Sequence, residues 1–266
     1  MAVISPITSM KGAFDVSGYN VVVTGGNRGI GFGIATAFAQ SGANVAILCR
    51  NQAKGQSALD ELKTYGGKHY CFNCDVTDLE SVKKAAEQVY GVFDRLHVLV
   101  NNAGIACVST MLEDKDLMGW HDTINTNLHG PANMVYAFVP NMIKAGGGSV
   151  ISISSIGAQA VNDAVSHHKP GYHAAKAALD TFTRYMAVEL GGTGMRFNTI
   201  APGLTHSELD RFLPPEVYEL VDNLLPGRRF AEPIEVGAYA VYLASPAGSN
   251  VNGAICVHDG GKLQVK

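Results

Sequence analysis

The sequence predicts one α/β domain spanning residues 1–266, a doubly wound parallel sheet of seven strands with helices on both faces. Three observations predict it. Short apolar runs of strand length alternate with longer stretches of helical periodicity almost from end to end, the signature of a parallel sheet covered on both sides. With 266 residues, 47% of them hydrophobic and 16% charged, the chain is long enough to bury one large core. Gly and Pro interrupt the pattern at 146–148, 202–203 and 226–227, each time between elements, and no repeat, low-complexity tract or linker divides it.

The first strand runs from Asn20 to Thr24 and enters the turn Gly25-Gly26-Asn27-Arg28-Gly29-Ile30-Gly31. A helix follows, because Ile30, Ile34, Ala37 and Phe38 recur at intervals of three and four and so share one face. The second strand is Asn44 to Cys49. The third is His69 to Cys74, followed by a helix that lines up Val82, Ala86 and Val89. The fourth is Val98 to Asn101, and the fifth, Ser149 to Ser154, precedes a helix with Ala175, Leu179, Phe182 and Met186 on one stripe. Arg196 to Ile200 and Ala254 to His258 complete the sheet. The segment from Leu204 to Phe230 breaks the rhythm: it is long, carries Pro214, Pro215 and Pro226, and mixes charges with Leu and Tyr, which reads as a lid over a substrate pocket.

Composition narrows the partners. A net charge of −3 with no run of Lys and Arg leaves no electrostatic footprint for nucleic acid or for an anionic membrane surface. No stretch approaches the roughly 18 apolar residues of a membrane helix, and the N-terminus has neither a basic region nor a long apolar one. The expectation is a cytoplasmic protein whose partner is a small molecule. The five cysteines, Cys49, Cys71, Cys74, Cys107 and Cys256, are odd in number and scattered, so they read as reduced thiols. Cys71 and Cys74 match C-x-x-C, but in an extended run residues three apart point to opposite faces. With no second pair and no H-E-x-x-H, no metal is expected, and His167 and His168 read as solvated.

Two local patterns carry chemistry. Glycines at a strand-to-helix turn let the backbone approach a pyrophosphate, whose charge the free N–H groups and dipole of the helix N-terminus favour. Gly25, Gly29 and Gly31 are so placed, although their spacing is not G-x-G-x-x-G and a purely structural turn remains the alternative. The second is Tyr172-x-x-x-Lys176, which sets a phenol and an ammonium one helical turn apart on one face. A tyrosine ordinarily titrates near a pH of about 10, too high for ready proton exchange at neutrality, so it needs a neighbour that favours its anion. The pair lies after the fifth strand, where the strand ends of an open α/β sheet converge on a ligand crevice.

The chain resembles the short-chain dehydrogenase/reductase family, on several motifs in order. Thr24-Gly25-x-x-x-Gly29-x-Gly31 matches its T-G-x-x-x-G-x-G turn, Asn101-Asn102-Ala103-Gly104 its N-N-A-G, and Asp75-Val76 its adenine-contacting acid. Asn127 in Asn127-Leu128-His129-Gly130 is similar to its helix asparagine, and Ser155, Tyr172-x-x-x-Lys176, Ile200-Ala201-Pro202-Gly203 and Asp259-Gly260-Gly261 follow. The resemblance implies a Rossmann-like sheet, a nicotinamide cofactor and a small carbonyl or alcohol substrate. It implies that Tyr172 donates the proton in reduction, Ser155 polarises the same oxygen, Lys176 binds the nicotinamide ribose, and Asn127 holds a water that connects Lys176 to solvent. The cofactor-contacting positions it implies are Gly25, Asn27, Arg28, Gly29, Ile30 and Gly31, then Arg50, Asn51, Asp75 and Val76. Asn102, Ala103, Gly104, Tyr172, Lys176, Pro202, Gly203 and Thr205 complete them. The ammonium of Lys176, with an oxidised nicotinamide, is expected to lower the tyrosine's pKa.

The cofactor expected is NADP(H). The second strand ends Leu48-Cys49-Arg50-Asn51 with no acid to read a 2′-hydroxyl, and Arg28 inside the turn, with Arg50, suits a 2′-phosphate. From Ser155 to Tyr172 is 17 residues, longer than in many family members, and the polar loop at 160–169 resembles the polyol and sugar-acid branch, such as gluconate 5-dehydrogenases and sorbose or mannitol reductases. The rival readings are a hydroxysteroid or other bulky ketone as substrate, and a non-catalytic NADP-binding sensor. Family resemblance also implies a homotetramer, with the helices after the fourth and fifth strands packing between subunits.

Overall fold

The computed structural model describes residues 6–108, 110–161, 169–206 and 225–264. Among them, seven parallel strands form one sheet: β1 (Asn20–Thr24), β2 (Asn44–Cys49), β3 (His69–Asn73), β4 (Val98–Asn101), β5 (Gly148–Ile153), β6 (Met195–Pro202) and β7 (Ile255–His258). Their spatial order is β3-β2-β1-β4-β5-β6-β7, so this is a Rossmann-like doubly wound α/β fold. Each predicted strand is present, with ends shifted by no more than two residues.

The apolar strand runs are explained by burial on both sides. Val21 and Val23 face one layer, made by α1 (Gly29–Gln40), α2 (Gln52–Leu62) and α7 (Pro233–Ala244), while Val22 between them faces the other. That second layer is made by α3 (Leu79–Val92), α5 (Gly130–Lys144) and α6 (Pro170–Leu190). The cysteines obey the same alternation: Cys71 lies in the α2 layer with its sulfur 3.7 Å from that of Cys49, and Cys74 lies in the α3 layer. All five are free thiols.

Two features place the site. The chain winds outward from β1 in one direction and from β4 in the other, and the two strands are neighbours, so their carboxyl ends open a crevice where the strand order reverses. The short α4 (Met118–Ile124) enters α5 through a π-helical turn at Asn125–His129. Pro131 accounts for the irregularity, since four residues after Asn127 it has no N–H to offer the Asn127 carbonyl.

Residues 207–224, most of the predicted lid at 204–230, lie outside the described residues, as do 162–168 of the polar loop. The described residues on either side of that gap meet: Thr205 bridges Ala231, His206 N–H donates to the Ala231 carbonyl at 2.8 Å, and Ala231 N–H donates to that of Leu204 at 3.0 Å. No helix among the described residues is long and apolar enough to cross a membrane.

Candidate active site

The glycine turn leaves the carboxyl end of β1 and starts α1 without a side chain capping the helix's first N–H groups, which is the condition for binding an anion there. Gly25 and Gly29 adopt φ of 63° and 52°, a region costly for residues with a Cβ. Asn102, just past β4, braces the turn. Its side-chain amide donates to the Thr24 carbonyl at 2.9 Å and to that of Gly25 at 3.4 Å, while the Thr24 hydroxyl accepts the N–H groups of Asn102 and Ala103 at 2.9 and 3.0 Å. Gly31 fits against this brace, where a Cβ would stand 2.3 Å from the Asn102 amide nitrogen and 2.4 Å from the Gly25 oxygen. The residues present therefore suit a dinucleotide phosphate: a strained backbone cradle, a helix N-terminus and a rigid support. Gly31→Ala should push the brace away, costing about 1–3 kcal/mol of stability and weakening cofactor binding. A thermal melt and a fluorescence titration with NADPH check both.

Around the adenine end, Arg50 lies 3.8 Å from Asp75, an exposed pairing. Burial works against the Asp75 anion, but the bonds it accepts from the Thr77 N–H and hydroxyl, with the Arg50 charge, outweigh that and hold its carboxyl below the usual value. Asn51 caps α2, accepting from Lys54 N–H at 2.9 Å. Val76 is buried against Gly130, where a Cβ would sit 2.8 Å from its methyl. Past β6, Gly203 N–H donates to the His258 carbonyl at 2.9 Å and Thr205 donates to the Gly203 carbonyl at 3.2 Å, which folds this strand end over the neighbouring β7.

Ser155, Tyr172 and Lys176 come together at the end of β5. Ser155 follows the strand and begins a single 3₁₀ turn, Ile156–Ala158; Tyr172 and Lys176 lie in the first two turns of α6, whose start is set by Pro170 at N1. The Ser155 hydroxyl faces the Tyr172 phenol, near enough to favour its anion. Lys176 is 4% exposed, with its Nζ 5.6 Å from the Tyr172 ring centre and 2.6 Å from the Ile153 carbonyl oxygen, to which it donates. Burial pulls its ammonium down to about 8, with the Asp180 carboxylate opposing. Asp180, one turn further along α6, is itself buried, which raises its carboxyl.

Two local details bear on proton transfer at the site. Tyr172 is not depressed by the protein alone: burial raises it, and the hydrogen bond from Ser155 offsets only part of that. The reason is geometric, since the Lys176 ammonium bonds the Ile153 carbonyl instead of the phenol oxygen. The Asn127 side chain, fully buried in the π-helical turn, has both ends committed to the backbone of Ile105, accepting its N–H at 2.9 Å and donating to its carbonyl at 2.7 Å. Sequence reasoning did not single out Ile105, Asp180 or His173. Pro131 was a usable signal for the π-helical turn; the contacts of His173 lie far apart in the chain and left none.

Comparison with known proteins places this arrangement. A profile described as enoyl-(acyl carrier protein) reductase matches residues 25–262. The D-threitol dehydrogenase of Mycolicibacterium smegmatis is 37% identical over 93% of this chain and 94% of its own length. A 3-oxoacyl-[acyl-carrier-protein] reductase of Chlamydia trachomatis is 35% identical over 90% and 95%. Among solved structures, an NADPH-dependent 3-quinuclidinone reductase from Rhodotorula rubra superposes with a TM-score of 0.91, at 32% identity, over 100% of this chain and 98% of that one. A protein described as an NAD(P)-dependent gluconate 5-dehydrogenase from Beutenbergia cavernae, solved with NADP, gives 0.87 at 31% identity, over 96% and 100%. The chain belongs to the short-chain dehydrogenase/reductase family of oxidoreductases.

Proposed function

We propose that this protein is an NADP(H)-dependent oxidoreductase that interconverts a ketone and a secondary alcohol, with a polyol, keto-sugar or sugar acid as its substrate. The observation that carries the reading is the cluster at the end of β5: a phenol faced by the Ser155 hydroxyl, beside a buried ammonium, next to a crevice whose glycine turn suits a dinucleotide phosphate. NADP(H), when bound, supplies or accepts the hydride and, in its oxidised form, adds positive charge near Tyr172.

The chain's own groups do the rest. In reduction the Tyr172 phenol donates its proton to the substrate oxygen, and Ser155 donates a hydrogen bond to that same oxygen. Burial disfavours the Tyr172 phenolate, and the positive charges of Lys176 and of the oxidised nicotinamide would counter that when the cofactor is bound. Lys176 binds the nicotinamide ribose, and its ammonium exchanges protons with a water on the Asn127 carbonyl, so the phenol is recharged. The 2′-phosphate is read by Arg28 and Arg50, with Asp75 and Asn51 ordering the adenine end. Arg28→Ala should weaken NADPH binding about tenfold, the worth of one charge-assisted contact, and leave NADH binding unchanged; isothermal titration with the two cofactors checks it.

Two relatives support the substrate class, one named for D-threitol and one for gluconate. The test is a panel of D-threitol, galactitol and gluconate, a hydroxysteroid and a 3-oxoacyl thioester, each with both cofactors. Turnover of the polyols or the sugar acid with NADP supports the reading. Preference for the thioester, which the matching profile and the chlamydial relative bring into play, or for the steroid, would overturn it. A homotetramer is part of the proposal. The outer faces of α5 and α6 expose Tyr136 (66%), Tyr185 (67%) and Val188 (86%), and the apolar groove of about 830 Å³ bounded by α3, α5 and α6 contains none of the site residues.

A further inference from the structure

The helix that carries Tyr172 and the turn that carries Ser155 are joined by a second contact. His173 places its ring Nδ1 2.6 Å from the Gly157 carbonyl oxygen, sixteen residues earlier in the chain. Gly157 donates its N–H to the Ser155 hydroxyl oxygen at 3.1 Å. A carbonyl oxygen only accepts, so Nδ1 carries the proton, in the neutral ring and in the imidazolium alike, and the bond survives protonation of His173. The ring lies directly against Gly157: a Cβ there would stand 2.6 Å from Nδ1, so this position admits no side chain while His173 occupies its place. The His173 ring also stands edge-on to that of Tyr172, with centroids 5.9 Å apart and an angle of 88°.

Ser155 needs such an anchor. The 3₁₀ turn it begins is three residues long, held besides by the Ala158 N–H donating to the Ser155 carbonyl at 3.0 Å and by the Gln159 and Ala160 N–H groups donating to that of Ile156 at 2.9 and 3.1 Å. One such turn is a weak support for a hydroxyl that must face a phenol on another element.

We propose that His173 is a positioning residue: its Nδ1–H grips the Gly157 carbonyl, and through Gly157 it holds the Ser155 hydroxyl in register with Tyr172. The proposal rests on the reading of Ser155 and Tyr172 as a working pair. The Gly157 N–H occupies one lone pair of the Ser155 oxygen and polarises the hydroxyl, leaving its hydrogen for the phenol or a substrate oxygen.

The test reads Tyr172 without any substrate. Phenolate absorbance is followed against pH in each variant and subtracted from that of the same variant carrying Tyr172→Phe. Among the described residues, the charged groups on α6 near the phenol, Lys176 with Asp180 behind it, are the same throughout, and the residues just past β5 contribute the Ser154 and Ser155 hydroxyls. Ser155→Ala sets the scale by moving the Tyr172 titration up by about one pH unit. His173→Phe, which keeps a ring but removes the donor, should give most of that rise, and His173→Asn, whose side-chain N–H takes the place of Nδ1–H, should restore the wild-type curve. The double variant Ser155→Ala with His173→Phe should titrate as Ser155→Ala alone, because His173 acts through Ser155. NADPH affinity, measured by fluorescence, should stay within twofold in every case. If Ser155→Ala leaves Tyr172 unmoved, the paired site fails and the role of His173 with it. If Ser155→Ala moves it and His173→Phe does not, or if the two shifts add, only the role of His173 fails.

Discussion

Tyr172→Phe is expected to lower turnover by about a thousandfold, within the range a positioned general acid contributes, while NADPH binds as before. The substitution removes one oxygen from a half-buried side chain and leaves the ring beside the Lys176 ammonium and edge-on to His173. The glycine turn and its Asn102 brace lie on other elements and are untouched. What is lost is the phenol that faces Ser155, and with it the proposed proton donor to the substrate oxygen. Steady-state rates with a fluorescence titration separate the two effects. Parallel losses of turnover and NADPH affinity would mean that Tyr172 holds the cofactor instead of moving a proton.

Lys176→Met is expected to cut turnover at least a hundredfold and yet to stabilise the protein. In the unfolded chain Lys176 titrates at 10.5 and in the folded protein at about 8, because burial disfavours its ammonium more than Asp180 supports it. Below pH 8 both states carry the charge, and the folded state bears its full burial cost, about 3 kcal/mol at 1.36 kcal/mol per pH unit. Above 10.5 both are neutral and the cost is gone. A methionine avoids it at every pH but leaves the Ile153 carbonyl without its donor, worth about 1 kcal/mol. The net gain at pH 7 is therefore about 2 kcal/mol, a rise of several degrees in Tm, shrinking as pH climbs from 8 past 10.5. Melting curves at pH 7 and pH 10 check it. A variant that melts lower at pH 7 would mean that the ammonium is a structural tie, not a functional cost of the kind active sites carry.

Much of this was legible in the sequence, for physical reasons that differ by element. The strands could be read because both faces of a parallel sheet are buried, so Val21, Val22 and Val23 are all apolar and no alternation hides the run. The glycine turn and the Tyr172/Lys176 pair could be read because their chemistry is local, set by residues within one turn of each other. Long-range geometry escaped. That the Asn127 side chain is spent on Ile105, 22 residues away, that Arg50 lies against Asp75, and that His173 reaches back to Gly157 all depend on contacts that no spacing encodes. So does the bond from the Lys176 ammonium to the Ile153 carbonyl, since spacing sets the ammonium one turn from Tyr172 but not where it points.

Isotopic labelling shows whether the protein moves a hydride from its cofactor to a ketone. NADPH carrying deuterium at the transferable nicotinamide position is incubated with the protein and a mixture of keto-sugars and sugar ketoacids, and the alcohols formed are analysed by mass spectrometry. One deuterium per product alcohol is expected, on the former carbonyl carbon, with Tyr172→Phe giving almost none. Tight binding of the labelled cofactor with no deuterium in any product would contradict it and leave a protein that holds NADPH without using it.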